Sequence, residues 1–528
     1  MTITMAEPRR AARAAGSLPR LLPLAAAMLA TTPLSHAQGQ WDVMPRVSLY
    51  ERYSDNVGLR RDDEARSQWV TELRPSVAVT GKSRRLNVAA FASWQQYYYS
   101  DKDEVRSPVD SRQTYSANLQ GTLVDQMMYV DARASKSNQN IVAFGPGALD
   151  NPYSRENQTD VKTWSISPYL VRRIGRDASM QLRYTRDSVD GGLRSTYGST
   201  TGDTVLLNLA SGAQLRTLGW GLTYVRQDID NRLLGESSSE VVTGSLRHQF
   251  SRSWAATATA GHDTYDFEGP GPETKGHNWS VGGVWTPSTR TSIQASAGRH
   301  LYGKTGALNA TVRSRRTVWD VQYSDAITSS RSRFLLPAAV DTAALLDNLF
   351  SSIFPDALAR ERAVAAYIQA NGLPSSIASD ITFLSNRYAR EKLLRGSFAW
   401  RSPRATTIMS VYRTERRAIS DQQSDNPLLG TSMSSLNNNV RQHGASLNVN
   451  YRFSPRTNLN TGADYRFSES LTTGIESRQR TMYARLHRDL GRYLQGSLEV
   501  RRRTGGTDFA GRRDYTENAV LANLTMTY

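Results

Sequence analysis

The sequence predicts an all-β fold: a transmembrane antiparallel β-barrel of about 22 strands, within a range of roughly 18–24. Three observations predict it. One hairpin pattern recurs along the 528-residue chain, the connections alternate between tight and long, and a short secretory leader precedes the first strand.

The leader is residues 1–37. Arg9, Arg10, Arg13 and Arg20 form a basic start, Leu21 to Leu34 an apolar stretch, and Ser35-His36-Ala37 a small-x-small cleavage site. The apolar stretch is shorter than the roughly 20 residues a spanning helix needs, which favours cleavage over a retained anchor. The barrel then occupies residues 38–528, with its first strand starting near Val43.

The hairpins are clearest in the second half. WSVGGVWTPSTRTSIQASAG, LLRGSFAWRSPRATTIMSVYR and ASLNVNYRFSPRTNLNTGADYRF each run from an alternating strand through an Arg/Ser/Pro turn into another strand. In Arg316–Ser324, Trp319, Val321 and Tyr323 share one face, and Arg316, Val318, Asp320 and Gln322 the other. Leu447, Val449, Tyr451 and Phe453 alternate with Ser446, Asn448, Asn450 and Arg452. A soluble sandwich also alternates in this way. The thin apolar face, rich in Ala and Gly with aromatics near strand ends, favours a lipid-facing wall with interfacial girdles.

Tight connections are expected at Gly81-Lys82-Ser83, Gly175-Arg176-Asp177 and Ser454-Pro455-Arg456. Long ones are expected at 101–111, 136–160, 190–203, 266–276, 421–439 and 504–514. Short periplasmic turns and long outer loops are the pattern of outer-membrane barrels, with both termini in the periplasm. The last strand carries Val520, Ala522, Leu524, Met526 and Tyr528 on one face. An alternating final strand with a terminal aromatic resembles the signal read by the outer-membrane barrel assembly machinery.

Residues 338–390 break the alternation and read as a helical insertion. Asp341 caps a helix carrying Leu345, Leu346, Leu349, Phe350 and Ile353, and Pro355-Asp356 starts a second that stops at Asn371-Gly372. Strand parity places the insertion at the outer face. There it plugs the lumen, caps the outside or binds another protein, and its apolar stripe suits all three.

Composition limits the chemistry. The chain has no cysteine, so disulfides and thiol catalysis are excluded. The mean hydropathy of −0.52 fits a barrel with a polar lumen. The net charge of +17 rests mainly on arginine, and export makes nucleic acid an unsuitable partner. What remains is anionic lipid headgroups or an anionic solute in the lumen. The histidines after the leader show no HxxxH or HExxH spacing, and there is no phosphate-binding loop. Neither an enzyme nor a cofactor or metal site is expected; the acidic and amide run at 421–426 reads as a solvated loop rather than a calcium site.

The functional candidates are the polar side chains that parity turns inward. They are Arg183, Asp187, Asp320, Gln322, Arg395, Arg401, Arg452, Asp464, Arg466, Arg485, Glu499 and Arg501. Together they would line a hydrated, arginine-biased channel or brace the barrel through salt bridges.

Several stretches resemble a known family. YERYSDNVGL (50–59), YVDARAS (129–135), SISPYLVRRIG (165–175), LRYTRDSV (182–189), LGWGLTYVRQDID (218–230), RSRRTVWDVQYSDAITSSRSRFLLP (313–337) and QANGLP (369–374) are similar to outer-membrane proteins of the PEP-CTERM/exosortase systems of Gram-negative bacteria. The resemblance implies an outer-membrane barrel acting in exopolysaccharide production or export, and carries no functional residues with it. The expected function is therefore a monomeric conduit for exopolysaccharide. Its expected partners are outer-membrane lipid, the assembly machinery, the polysaccharide and periplasmic export components. The alternative is a non-transporting barrel that anchors polymer or sorted proteins at the surface.

Overall fold

The computed structural model describes residues 39–527 except 106, 148–150, 193–197, 213, 216, 233–234, 267–273, 336–345, 347–349, 351–363, 365–382, 384, 386, 420–435 and 509–512. The leader 1–37, Tyr528 and most of the 338–390 insertion lie outside the described residues.

Alternation, hairpin turns and strand length build one sheet of 22 antiparallel strands. In chain order the first are β1 (Gly39–Ser54), β2 (Gln68–Ser83), β3 (Leu86–Tyr99), β4 (Ser111–Val124), β5 (Met128–Asn140), β6 (Gln158–Ile174), β7 (Ala178–Asp190) and β8 (Ser199–Ser211). Next come β9 (Leu218–Asn231), β10 (Gly235–Gln249), β11 (Trp254–Asp266), β12 (Thr274–Ser288), β13 (Thr291–His300), β14 (Gly303–Arg313) and β15 (Thr317–Ser329). A six-residue helix, α1 (Ser330–Leu335), follows β15. The rest are β16 (Tyr388–Arg401), β17 (Ala405–Ala418), β18 (Asn439–Ser454), β19 (Thr457–Ser470), β20 (Glu476–Asp489), β21 (Leu494–Thr507) and β22 (Arg513–Thr527).

Each strand pairs with its sequence neighbours. Arg46–Ser54 of β1 pairs with Ala519–Thr527 of β22, which closes the barrel and removes every sheet edge. Strands of 10 to 17 residues meet or exceed the roughly 9–11 that a membrane crossing needs. The longer strands therefore extend a few residues beyond the bilayer.

The outer surface carries the apolar half of the alternation. Leu182, Val281, Trp319, Leu447, Met482, Val500 and Leu524 are all exposed there. A soluble barrel would pay heavily for such a surface; a lipid-embedded one is stabilised by it. Aromatic side chains band both margins. Trp254 stacks on Trp285 with ring centroids 5.6 Å apart near the tight-turn end, and Tyr53 meets Trp69 at 5.0 Å near the loop end. The structure thus defines an outer-membrane β-barrel. Val520, Ala522, Leu524 and Met526 share its exposed outer face.

The structure relocates some connections. Gly81-Lys82-Ser83 belongs to β2, and the turn falls at Arg84–Arg85. Gly81 pairs with Trp41, and a Cβ there would lie 2.4 Å from the Trp41 ring. The glycine makes room for an indole rather than for a turn. The long loop expected at 136–160 spans only 141–157, because both strands continue past the apolar belt with polar residues on both faces. Residues 388–390, read with the insertion, start β16.

Candidate functional site in the lumen

The register fixes which side chains face inward. Met482, Val500 and Val520 are exposed on the apolar face, so their strand neighbours Tyr483, Arg501 and Ala519 point into the barrel. Carried around the sheet, the same alternation turns Arg183, Asp187, Asp320, Gln322, Arg395, Arg401, Arg452, Asp464, Arg466, Arg485, Glu499 and Arg501 toward the lumen.

Most of these carry close partners. Arg485 and Arg501 both pair with Glu499, at 2.5 Å for Arg485. Arg466 lies 2.9 Å from Asp464, and Arg183 lies 2.8 Å from Asp131. The Arg183 guanidinium also sits 4.0 Å above the Tyr169 ring, which stacks on Tyr129. Asp320 accepts from Thr311 at 2.8 Å, and Arg452 caps the periplasmic turn by donating to the Pro403 carbonyl at 2.9 Å. Arg485, Glu499 and Arg501 therefore form one network, whereas Asp320 and Arg452 stand apart from it.

A second network escaped the sequence. Glu517 on β22 is fully buried and is held by Arg52, by Arg503 at 3.3 Å and by the Ser54 hydroxyl at 2.9 Å. Its parts lie up to 465 residues apart and meet only because β1 closes on β22. The one sequence signal was parity, since Arg52 and Ser54 share a face and Arg503 follows Glu499 and Arg501 at every second residue.

On the β2–β8 side the lumen is asymmetric along its axis. Near the tight-turn end, Asn87, Ala89, Phe91, Ser116, Asn118, Gln120 and Arg133 face inward yet are solvent-exposed. Near the loop end, the inward residues Val70, Tyr97, Val161, Asp187, Val189 and Thr200 are buried. What buries them is loop chain folded into the barrel mouth.

Two straps cross that mouth. The 141–157 connection leaves β5 and reaches β20, where the Gly145 N–H donates to the Ser477 hydroxyl at 3.1 Å. Gln479 donates back to the Gly145 carbonyl at 2.8 Å. Gly145 has φ +80°, a conformation that suits glycine. Val142, Ala143 and Phe144 pack there with Phe383, Leu436 and Val440.

The second strap is α1, running from β15 to β7. Arg331 pairs with Asp187 and donates to Thr200, all three buried, while Phe334 and Leu335 pack on Val161 and Val189. Ser330 donates to the Phe383 carbonyl at 2.9 Å and accepts from Arg416 at the same distance. These bonds tie the two straps into one cap.

The described residues of the insertion reach deeper. Leu346, Phe350 and Val364 are helical and buried. Phe350 lies 4.8 Å beneath the guanidinium of Arg401, the last residue of β16 at the tight-turn end. The inward faces of β17 and β18 are buried along their length, from Thr406 to Arg416 and from Val440 to Asn450. The described residues contain no group of three or more metal-ligating side chains able to hold an ion.

No family model matches this chain, and no curated protein matches it. Among solved structures, the FrpB iron transporter of Neisseria meningitidis (F5-1 variant) is similar over 92% of this chain and 83% of its own, at 11% identity and TM-score 0.48. The siderophore receptor PirA of Acinetobacter baumannii is similar over 92% and 80%, at 8% identity and TM-score 0.45. OpdK of Pseudomonas aeruginosa is similar over 92% and 99%, at 8% identity and TM-score 0.34. At these values the comparisons leave the function to the lumen itself.

Proposed function

We propose that this barrel is a gated conduit for exopolysaccharide across the outer membrane, fed by periplasmic components of a PEP-CTERM/exosortase-linked system. The observation that supports this reading best is the asymmetry of the lumen. At the tight-turn end, β3–β5 expose amides, hydroxyls, Phe91 and Arg133 to water, while hydrogen-bonded straps cover inward residues at the loop end. A polymer entering from the periplasm would meet many weak polar contacts, which hold a chain without trapping it. Displacement of the straps would then open the way out. The family resemblance supplies the polymer's identity.

A second reading has its own support. A cap fastened at Gly145, Ser330 and Arg331 also suits a permanently closed barrel that presents its loops to surface polymer. Conductance in planar bilayers separates the two. A conduit shows a low-conductance resting state that opens when Ser477→Ala and Gln479→Ala release the strap. A barrel that stays closed in that variant supports the anchoring reading and overturns the gate.

A further inference from the structure

The outer wall carries a feature that lumen transport does not use. A groove of about 720 Å³ crosses the outside of β18–β22 and β1. Four of its lining residues, Gly462, Tyr483, Arg501 and Ala519, point inward, but each lies between two outward-facing lining residues. They contribute backbone to the floor, so the groove faces lipid rather than the lumen.

Small side chains hollow it out. Thr461, Ala463 and Ala484 form the floor, while Leu447 and Met482 rise beside it. The groove follows one row of strand pairing, from Val449 through Thr461, Ala484, Val500 and Val520 to Tyr53. Five strand spacings make it roughly 24 Å long. Because barrel strands are tilted, such a row climbs through the bilayer. It starts in the apolar belt at β18 and ends at the loop-side girdle, beside Tyr53, Asp55 and Asn518.

The polar end is positive. Arg502 is exposed on the outer face and has no ion-pair partner among the described residues. Arg480 is also exposed and outward, with its guanidinium 5.7 Å from the Tyr465 ring and no acidic partner among the described residues. Register pairs Met482 with Arg502 and Arg480 with Thr504, so the two arginines are diagonal neighbours. The nearby acid, Asp55, is occupied by two hydrogen bonds from Asn518, both 2.7 Å. Two unneutralised guanidiniums at an apolar margin call for an anion whose tail lies in the groove.

We propose that this groove is a binding site for the phosphorylated glycolipid of the outer leaflet. An acyl chain lies over Thr461, Ala463 and Ala484, and a headgroup phosphate is held between Arg480 and Arg502. The outer-leaflet source follows from the groove's position, since its cationic end is on the loop side.

Native mass spectrometry of the detergent-purified full chain tests this with lipid A and, separately, phosphatidylglycerol as probes. Lipid A should bind the unaltered chain as a one-to-one adduct. Arg480→Gln with Arg502→Gln should weaken that adduct about thirtyfold. Ala484→Phe, which fills the floor and leaves both arginines, should weaken it as well. Heat-dependent gel migration checks that each variant remains a folded barrel. Equal lipid A binding by the unaltered chain and the arginine double variant would overturn the site. Phosphatidylglycerol binding as tightly as lipid A would overturn the glycolipid assignment.

Discussion

Arg331 and Asp187 set the energetic terms of the cap. Both side chains are almost fully buried, and neither has access to bulk water. A buried pair is weak evidence of net stability, yet removal of one partner strands the other charge. Arg331→Ala is therefore expected to destabilise the closed cap by about 3–5 kcal/mol. Arg331→Met with Asp187→Leu should cost much less, because no charge is left behind. Thermal unfolding in detergent checks the order; equal losses in both variants would contradict it. Glu517 repeats the situation with two arginines and the Ser54 hydroxyl on one carboxylate. The pairs Arg485–Glu499 and Asp464–Arg466 could be anticipated, since their residues share a face and lie on adjacent or identical strands. The partners of Asp187 and Glu517 could not, because contacts spanning 144 and 465 residues depend on barrel closure and on a strap with no periodic pattern.

At the scale of elements, the wall was legible and its filling was not. Period-two alternation identifies strands and their faces wherever one side meets lipid, as in β15 and β18. It fades above the belt, where both faces of a strand are polar. That is why β5 and β6 run further than their sequence suggests and why the 141–157 strap read as part of a longer outer loop. Gly81 misled for a different reason, since a glycine under an indole looks like a turn glycine. The strap carries its own prediction. Gly145→Val strains a φ of +80° and should weaken the bonds to Ser477 and Gln479, raising single-channel conductance. Deletion of 341–371 should raise it further, because Phe350 lies against Arg401 at the far end of the lumen. Unchanged conductance in the deletion would remove the insertion from the gate.

For the whole molecule, one closed sheet separates two surfaces with opposite demands. Val281 lies between Trp279 and Trp285 on the lipid face of β12, and 56% of its surface is exposed. Val281→Arg is expected to lower barrel stability by about 2–4 kcal/mol. Asn118→Arg, on the water-exposed lumen face of β4, should change it by less than about 0.5 kcal/mol. Equal costs would contradict the placement of the membrane belt. The same separation lets the lumen change its cap without disturbing the wall, because the bonds that fasten the straps at Ser477, Gln479, Asp187 and Thr200 run through side chains rather than through the ladder. The proposed function is passage of polymer outward through that lumen. Its most direct measurement is exopolysaccharide in the medium against exopolysaccharide retained in the periplasm, in the native host lacking this chain. Conduit function predicts less outside and more inside, restored by the unaltered chain. Secretion that continues unchanged would contradict it.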